Sequence, residues 1–373
     1  MMDPARIYGR PRILMTVDAA GGVWRYAVDL AAGLRDLGID TVFACFGPRP
    51  NRAQQREAEQ IGGLVQCDAP LDWMVENEAA LVQVPRIIAD LVGREHIDLV
   101  HLNLPSQGAD LTVDVPVVAV SHSCVCTWFQ AVRDNGVPES WAWQITINRR
   151  GLERADAVVV PSQGHAGLLR QVYGQGTPPI HVVYNASLVE PSCAPKAPYV
   201  FAAGRWWDDG KNGPVLAAAA ASIQWPVIMA GANIGPNGQH TALPNIDHRG
   251  ELDHGETMGL MREAAIVVSP SLYEPFGLAA LEAARSSGAL VLADIPTYRE
   301  LWHGAALFAD PRDPAAFGEA INRLIADKSL RATLGKQAQA RSLTFSPVRQ
   351  AQAMSGIYDR LLAPAHALNA AEL

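Results

Sequence analysis

Short apolar runs alternate with helical patterns along most of the chain. In the first half, runs such as RILMTV, TVFACF and VPVVAVS are separated by amphipathic segments such as VWRYAVDLAAGLRDLG. Such runs are typical of strands buried on both faces of a parallel sheet, with helices in the connections. The pattern restarts in the second half with YVFAAG, VIMAG, IVVSPS and ALVLAD. It predicts an α/β protein with two doubly wound, Rossmann-like units in tandem.

A proline-rich stretch without periodicity, VEPSCAPKAPY, separates the two units. We therefore expect an N-terminal domain at residues 1–190 and a C-terminal domain at 197–346. The chain has 373 residues, more than one hydrophobic core usually supports, which favours two domains. After the second unit, residues 347–363 form a last amphipathic segment with helical spacing. Its apolar positions include Val348, Ala351, Ile357, Tyr358 and Leu361.

Composition and charge narrow the class of protein. The formal net charge of −8 argues against a nucleic-acid partner, because such proteins usually present a basic face. The five cysteines fit neither a zinc template nor a disulfide framework, which favours a reducing compartment. The apolar run near the start is too short for a signal peptide, and no run approaches the ~20 residues of a membrane span. We therefore expect a soluble, cytoplasmic protein.

Two carboxylates stand in an otherwise apolar stretch, SPSLYEPFGLAALEAARSSGAL. Glu274 precedes Pro275, so it belongs to the loop after strand IVVSPS, and a helix should begin near Gly277. Glu282 would lie inside that helix with its side chain leaning back toward the loop. A buried carboxylate needs a partner, and sugar hydroxyls are one kind that would serve. The structural alternative is an internal ion pair, for instance with Arg285.

The segment FAAGRWWDDGKN delivers Gly204 and Arg205 at the exit of a strand, with Lys211 six residues later. Two fixed cations at a strand end suit a diphosphate, since arginine binds in fork geometry and lysine acts as a point charge. Two solvated surface charges are the alternative.

The loop AAGGVW follows the first strand and opens the first helix. Gly21 and Gly22 would let the backbone approach a ligand, although a tight turn is an equal reading. The loop lacks the G-x-G-x-x-G spacing of a dinucleotide fold, which weakens a dehydrogenase reading. His122, at the exit of VPVVAVS, could bond a substrate or only a loop carbonyl. Cys124 and Cys126 beside it are expected to be packing residues.

Two further patterns suggest structural roles or exclude a metal. Thr297 and Glu300 have the spacing of a capping box, so we expect Glu300 to cap its own helix. The chain has no D-x-D triplet, no H-E-x-x-H and no clustered metal ligands. We therefore predict that no metal or other cofactor is required.

The chain resembles the retaining glycosyltransferases of family 4, which have the GT-B fold of two Rossmann-like domains facing each other across a cleft. The resemblance spans nearly the whole length. Its most specific part is the spacing of Glu274 and Glu282 with Phe-Gly between them, preceded by Gly-Arg and then Lys. It also rests on GGVWRYAVDLAAGL, DLVHL, VVAVSHS, ERADAVVVPS, AAGRWWDDGKN, EPFGLAALEAARSSGALVLA and AALFADPRDP.

The resemblance implies roles for individual residues on the donor side. Arg205 and Lys211 match the pair that holds the donor diphosphate. Glu282 matches the carboxylate that bonds the ribose hydroxyls, and Glu274 the one that faces the donor sugar. The backbone that contacts sugar hydroxyls and phosphate in the family corresponds to Phe276, Gly277 and Leu278. The loosest match is the base-binding stretch RGEL, which contains Gly250, Glu251 and Leu252.

On the opposite side, Gly22 matches the glycine that meets the diphosphate when the domains close. His122 matches the histidine beside the transferred sugar, and the helix after Pro347 would cross back onto the N-terminal domain. The chain departs from the family in two places. Asn103 stands where DLVH is often followed by a second histidine, and Asn212 follows Lys211 where glycine is more usual.

The implied activity is transfer of a hexose from a UDP- or GDP-linked sugar to an acceptor hydroxyl with retention of configuration. The nucleotide sugar would be a cosubstrate, and the acceptor a saccharide, glycolipid or small molecule. The family's commonest setting is bacterial polysaccharide or glycolipid synthesis in the cytoplasm, so contact with the inner face of the membrane is a possible addition. The alternatives are another GT-B activity, such as a phosphorylase or a nucleotide-sugar epimerase, and a catalytically silent subunit that binds nucleotide sugar.

Overall fold

The computed structural model describes residues 10–20, 22–133, 135–174, 176–235 and 238–363. Gly21, one of the two glycines singled out in the first loop, lies outside the described residues. Within them the chain forms two parallel sheets with helices in the connections between strands.

The first sheet has seven parallel strands in the order β3-β2-β1-β4-β5-β6-β7. The strands are β1 (Arg12–Asp18), β2 (Asp40–Phe46), β3 (Gly63–Gln66), β4 (Leu99–Leu102), β5 (Val117–Val120), β6 (Ala157–Val160) and β7 (Ile180–Val182). The helices that connect them are α1 (Gly22–Asp36), α2 (Arg52–Ile61), α3 (Val84–Arg94), α4 (Val125–Val132), α5 (Ala142–Arg154) and α6 (Gln163–Tyr173). Apolar clusters fill both faces of this sheet, which is why β4, β5 and β6 are buried at every position.

The second sheet has six parallel strands in the order β10-β9-β8-β11-β12-β13. They are β8 (Ala197–Ala203), β9 (Val227–Ala230), β10 (Asp247–His248), β11 (Ala264–Ser269), β12 (Ala289–Ala293) and β13 (Ala306–Ala309). The accompanying helices are α7 (Gly213–Ala220), α8 (His254–Glu263), α9 (Leu278–Arg285), α10 (Pro296–Trp302), α11 (Pro314–Ala326) and α12 (Lys328–Ser342). One apolar cluster unites the sheet with its helices.

The last described helix, α13 (Pro347–Leu362), follows the second sheet in sequence but packs on the first. Ala351, Met354, Ile357 and Tyr358 join the apolar cluster to which α1 contributes. The helices approach closely at Gly33 of α1, where an added Cβ would lie 2.8 Å from the Ala351 Cβ. The expectation that Val348 belongs to the buried face is wrong, since Val348 is 63% exposed.

The two halves touch through a set of polar contacts. Trp128 of α4 donates from Nε1 to Asp208 Oδ1 at 2.9 Å, and Thr127 shares a 2.8 Å hydroxyl contact with Tyr273. Ser162 Oγ, at the start of α6, donates to the carbonyl of Pro275 at 2.6 Å. These contacts lie between the N-terminal ends of α4 and α6 and the loops that follow β8 and β11.

The predicted capping box at Thr297 and Glu300 is wrong. Helix α10 begins after Ile295 without a side-chain cap. The Glu300 carboxylate instead accepts from the backbone N–H groups of Gln163 (2.9 Å) and Gly164 (2.8 Å), at the start of α6 in the other half. Two unsatisfied N–H groups and a helix dipole favour a carboxylate there, so a cap expected within one helix joins two domains.

Candidate active site

The loops with the predicted chemistry follow strands at the points where the strand order reverses. In the first sheet that point lies between β1 and β4, and in the second between β8 and β11. Ligands of open parallel sheets bind in the crevice beyond the carboxyl ends of the strands at such points. Gly22 follows β1, Gly204 follows β8 and Glu274 follows β11, which puts these residues at the crevices of their sheets.

Lys211 and Glu274 form an ion pair, with the lysine Nζ 2.6 Å from Oε2 of the glutamate. Both side chains are largely buried, at 22% and 15% exposure. Asn212 supports the loop by donating from Nδ2 to the carbonyls of Pro270 and Pro311. Its backbone is left-handed (φ 56°), which explains why glycine is usual at this position and why asparagine can replace it.

Arg205 is the freer of the two predicted cations. Its side chain is 63% exposed, with one guanidinium nitrogen 3.5 Å from Asp208 Oδ2 and the guanidinium stacked over Trp207. Asp208 also accepts from Trp128 of α4 and from the Gly210 N–H. Arg205 is therefore the exposed member of a long ion pair, and an anion could displace it while the largely buried Asp208 keeps its bonds from Trp128 and Gly210.

Gly277 turns the chain into α9 with a left-handed backbone, φ 91°. A Cβ here would lie 2.7 Å from Tyr298 Cε1 and 3.2 Å from Glu274 Cγ, so the tight approach requires glycine as well. The preceding Phe276 is buried in the core, and Leu278 starts the helix half-buried. Because Gly277 has no side chain to cap α9, the first N–H groups of this helix are available to an anion.

Glu282 lies in the second turn of α9 and is half-buried. Its carboxylate makes no hydrogen bond or ion pair to the described part of the chain, and burial raises its pKa to about 7. The proposed pairing with Arg285 does not occur, since that guanidinium donates to the carbonyls of Val189 (2.9 Å) and Phe345 (3.1 Å). The structure thus excludes the ion pair with Arg285, and the carboxylate oxygens of Glu282 can still accept hydrogen bonds.

The stretch that contains Gly250, Glu251 and Leu252 follows β10 and meets the end of β9. The N–H of Gly231 donates to the Gly250 carbonyl at 2.6 Å, and an added Cβ at Gly231 would lie 1.9 Å from the Gly204 carbonyl oxygen. Leu252 packs against the core, whereas Glu251 is exposed. These close approaches connect the stretch to the end of β8, where Gly204 and Arg205 lie.

On the N-terminal side, Gly22 is exposed and opens α1, and a Cβ added there would meet nothing within 4 Å. His122 lies just beyond β5 and packs edge-on against the Tyr26 ring, with centroids 4.3 Å apart. Its Nε2 is 2.8 Å from Asn103 Oδ1. Burial lowers the pKa of His122 to about 3, with His101 and His165 contributing further, so the ring is neutral at physiological pH.

Several residues at this site were not among the sequence candidates. Tyr273 and Trp128 join the halves beside Glu274 and Asp208, and Tyr298 packs beneath Gly277 and bonds Ser269 Oγ at 2.5 Å. Tyr273 directly precedes Glu274 in SLYEPFG, so its place next to a candidate residue could have indicated it from the sequence. Trp128 and Tyr298 come from elements distant in sequence, so their positions depend on the tertiary structure.

The described residues contain no group of three or more His, Cys, Asp or Glu side chains that could hold a metal ion. Among these same residues, no helix has the length and apolar character needed to cross a membrane. A cavity of about 580 Å³ lies between α3 and α5, with Arg86, Ser106 and Arg150 in its lining and none of the predicted donor-site residues. Arg150 is paired with Glu78 and Asp110.

Comparison with known proteins gives matches in both halves. The family model described as Glycosyltransferase Family 4 matches residues 20–186, and the model described as Glycosyl transferases group 1 matches residues 238–341. A D-inositol 3-phosphate glycosyltransferase of Corynebacterium glutamicum is 24% identical over 92% of this chain and 93% of its own length. The protein of that name from Corynebacterium jeikeium is 32% identical, over 30% of this chain. That shorter match spans only 27% of the C. jeikeium protein.

Solved structures with similar coordinates cover almost the whole chain. Sucrose-phosphate synthase from Thermosynechococcus elongatus superposes with a TM-score of 0.79 at 20% identity, over 94% of this chain and 99% of that one. Anabaena Alr3699/HepE, solved in complex with UDP and glucose, gives 0.72 at 20% identity, over 94% of this chain and 100% of that one. At these identities the likeness establishes a shared fold.

Proposed function

We propose that this chain is a GT-B glycosyltransferase of family 4 and that it transfers a hexose from a nucleotide-diphosphate sugar to an acceptor hydroxyl with retention of configuration. The observation that carries the proposal is Glu282. A half-buried carboxylate without a described protein partner lies on the helix that starts beside Lys211 and Glu274. The two adjacent hydroxyls of a ribose would donate to its two oxygens and offset the unfavourable burial.

The donor diphosphate would lie between Arg205, Lys211 and the start of α9. As the bond from the sugar C1 to the phosphate oxygen breaks, negative charge develops on the leaving diphosphate. Two cations and uncapped helix N–H groups stabilise that charge, and each good contact contributes several kcal/mol in a site closed to water. Lys211 would exchange part of its pairing with Glu274 for the phosphate, and Glu274 would face the sugar.

Neither of the two side chains assigned to the sugar, His122 and Glu274, is well suited to be a general base. His122 has its pKa lowered to about 3, and the Glu274 carboxylate is held in an ion pair by Lys211. We therefore favour attack of the acceptor on the same face that the diphosphate leaves. In that step a bond forms between the acceptor oxygen and C1, the bond between C1 and the phosphate oxygen breaks, and the acceptor proton passes to a diphosphate oxygen. Residues of the protein orient the partners and exclude water.

The donor base would rest against the stretch from Gly250 to Leu252. A uridine donor is favoured because the Anabaena neighbour was solved with UDP and glucose, and GDP-linked sugars stay as the second choice. The proposed acceptor is a saccharide, a glycolipid or a small molecule, and the proposed setting is cytoplasmic polysaccharide or glycolipid synthesis. A peripheral contact with the inner membrane face belongs to the same proposal, as does independence of metal and other cofactors.

The proposal is tested by incubating the protein with a panel of UDP- and GDP-sugars, with and without candidate acceptors, and measuring nucleotide release and the anomeric configuration of the product by NMR. We expect Arg205→Ala to reduce turnover by orders of magnitude, since it removes a contact to the charge that develops in the transition state. Near-normal turnover of Arg205→Ala would contradict the diphosphate assignment.

Lys211 requires a compensated variant, because its removal alone leaves Glu274 partly buried without its cation. We therefore pair Lys211→Met with Glu274→Gln and compare the double variant with Glu274→Gln alone.

The panel of donors and acceptors also separates the other activities. Release of free epimerised sugar indicates an epimerase, phosphate-dependent cleavage of a glycoside indicates a phosphorylase, and binding without release indicates a silent subunit.

A further inference from the structure

Four side chains form a hydrogen-bonded row from α13 to His122. Tyr358 lies with its hydroxyl 2.6 Å from Nδ1 of His101, and Nε2 of His101 is 3.0 Å from Asn103 Oδ1. The same Asn103 oxygen is 2.8 Å from Nε2 of His122. Tyr358, His101 and Asn103 are at most 5% exposed, so water does not compete for these bonds.

The orientation of Asn103 fixes the direction of every bond in the row. Its Nδ2 donates to the Thr16 carbonyl at 2.7 Å, and its backbone N–H donates to Thr16 Oγ1 at 2.9 Å. The amide is therefore held with Oδ1 toward the two rings, and a carbonyl oxygen can only accept. Both His101 and His122 must carry their proton on Nε2.

That tautomer leaves Nδ1 of His122 as an unprotonated lone pair. Nδ1 makes no hydrogen bond to the described part of the chain. It is also not one of the polar side-chain atoms there that are both inaccessible to solvent and without a hydrogen-bond partner. The ring cannot rotate freely, because Tyr26 packs edge-on against it. His122 is thus presented to the crevice in one orientation and with one kind of bonding group, an acceptor.

We propose that Asn103 is a positioning residue that locks His122 as the Nε2–H tautomer, so that Nδ1 accepts a hydrogen bond from a hydroxyl of the bound donor sugar. The choice of a sugar hydroxyl rests on the proposed function, whereas the tautomer and its cause do not. An acceptor in this position rejects phosphate and carboxylate oxygens and selects O–H groups. The asparagine that replaces the more usual second histidine therefore has a specific effect on this chain's donor recognition.

The tautomer is measured directly on protein with ¹⁵N-labelled histidine, by long-range ¹H–¹⁵N correlation of the ring nitrogens. A His122→Gln variant identifies the His122 signals. We expect a protonated Nε2 and an unprotonated Nδ1 in the wild type, and a mixture of tautomers in Asn103→Leu, which removes the accepting oxygen. An Nδ1–H tautomer in the wild type, or an unchanged tautomer in Asn103→Leu, overturns the proposal whether or not the protein transfers sugar.

Two controls separate positioning from general damage. Asn148→Leu makes the same change at another fully buried asparagine, one that bonds Gln144 instead, and should leave the His122 signals unchanged. Tyr358→Phe removes only the far end of the row and should also leave His122 as the Nε2–H tautomer. A His122 shift in Asn148→Leu as large as that in Asn103→Leu would contradict a specific role for Asn103.

Asn103→Asp keeps an accepting oxygen but adds charge, and it serves where Asn103→Leu does not fold. The other titratable groups facing His122 are His101, His165 and Tyr26, and none of them is anionic at neutral pH. A carboxylate at position 103 would favour the imidazolium and raise the pKa of His122. At saturating donor, where the pH dependence of donor affinity through Glu282 does not contribute, we expect Asn103→Asp to retain the tautomer and the wild-type kcat at high pH. Its kcat should fall as pH falls through the raised pKa of His122, whereas the wild-type kcat shows no such loss. A profile that matches the wild type would count against the proposal.

A set of monodeoxy donors locates the hydroxyl. In the wild type, one deoxy donor should lose turnover through its missing bond to Nδ1, and Asn103→Leu should lower kcat by roughly 10-fold to 100-fold through misorientation. The two losses should not multiply when combined, because both remove the same contact. If the turnover loss of every deoxy donor multiplied fully with the loss caused by Asn103→Leu, a sugar hydroxyl would be excluded as the partner of His122.

Discussion

At the scale of single residues, the chain retains a carboxylate whose burial lowers the stability of the folded protein. Glu282 is half-buried without a described protein partner, and its pKa is raised to about 7 by desolvation. Arg285, three residues later, satisfies backbone carbonyls instead. Such an uncompensated group is what one expects of a residue selected for a ligand, since function commonly opposes stability at binding sites.

The sign of the stability effect follows from the direction of the pKa shift. Folding raises the pKa of Glu282 from 4.5 to about 7, so folding opposes its ionisation. The penalty is absent below the lower value, grows between the two and is complete above the higher one, where it amounts to about 3 kcal/mol. Glu282→Gln should therefore raise the melting temperature of the ligand-free protein by a few degrees at pH 8 and have little effect at pH 4.5.

The same variant should lose donor binding. We expect wild-type affinity for UDP-glucose to rise as pH increases through about 7, because the ionised carboxylate accepts hydroxyl bonds more strongly, and we expect this dependence to vanish in Glu282→Gln. Calorimetric titration between pH 6 and pH 8 measures it. Equal stability of the two proteins at pH 8, together with unchanged binding, would remove the ligand role of Glu282.

At the scale of elements, residues at helix ends make several of the contacts that join the two halves. Sequence spacing assigned Glu300 to its own helix, α10, yet its carboxylate satisfies two N–H groups at the start of α6. The reason is proximity: an added Cβ on Gly164 would lie 2.6 Å from Thr297 Oγ1, so the start of α6 packs directly on α10. The spacing of a capping box is therefore ambiguous wherever another helix N-terminus lies within reach.

Glu300→Gln should weaken the docking of the two domains. The neutral amide loses the charge-assisted bonds to Gln163 and Gly164, and losing a cap of this kind costs about 1 kcal/mol. Faster amide hydrogen exchange at the start of α6 measures the effect. The matched control is Glu319→Gln, an exposed position on α11, which should exchange as the wild type does. Equal protection of α6 in all three proteins would show that Glu300 does not hold the domains together.

At the scale of the whole molecule, α13 makes the stability of the first sheet depend on residues at the far end of the chain. Its buried side chains join the apolar cluster to which α1 contributes, and the Tyr358 hydroxyl hydrogen-bonds His101. The described C-terminal helix thus packs on the N-terminal half while it follows the second sheet without a long linker. Relative movement of the two halves has to bend the chain near Ser346 as well as near the proline-rich segment.

Met354→Ala should destabilise the N-terminal half. Met354 is fully buried in the cluster of α1, and truncating such a side chain costs about 2–5 kcal/mol. Val348→Ala on the same helix removes apolar atoms from a residue that is 63% exposed and should have almost no effect. Thermal unfolding followed by hydrogen exchange of β1 and α1 distinguishes them, and equal protection in both variants would mean that α13 does not stabilise the first sheet.

Much of the fold could be predicted from the sequence. Continuous apolar runs such as those of β5 and β12 require burial on both faces, and this requirement with helical connections leaves doubly wound sheets as the solution. The prediction of two Rossmann-like domains in a GT-B arrangement is confirmed by the strand order and by the solved structures of the same fold. The assignment of individual donor residues stays a prediction, supported by the pairing of Lys211 with Glu274 and by the unpartnered Glu282.

The sequence by itself determined which segments become strands and helices, because burial and backbone preference act on neighbours along the chain. It also determined which loops carry charge at the strand ends. Only the tertiary structure decided how those charges are satisfied: Glu300 by another domain, Arg285 by distant carbonyls, His122 by Asn103, and Glu282 by no described group. The physical reason is that hydrogen bonds and ion pairs depend on distances of a few ångströms between residues far apart in sequence, which no local pattern records.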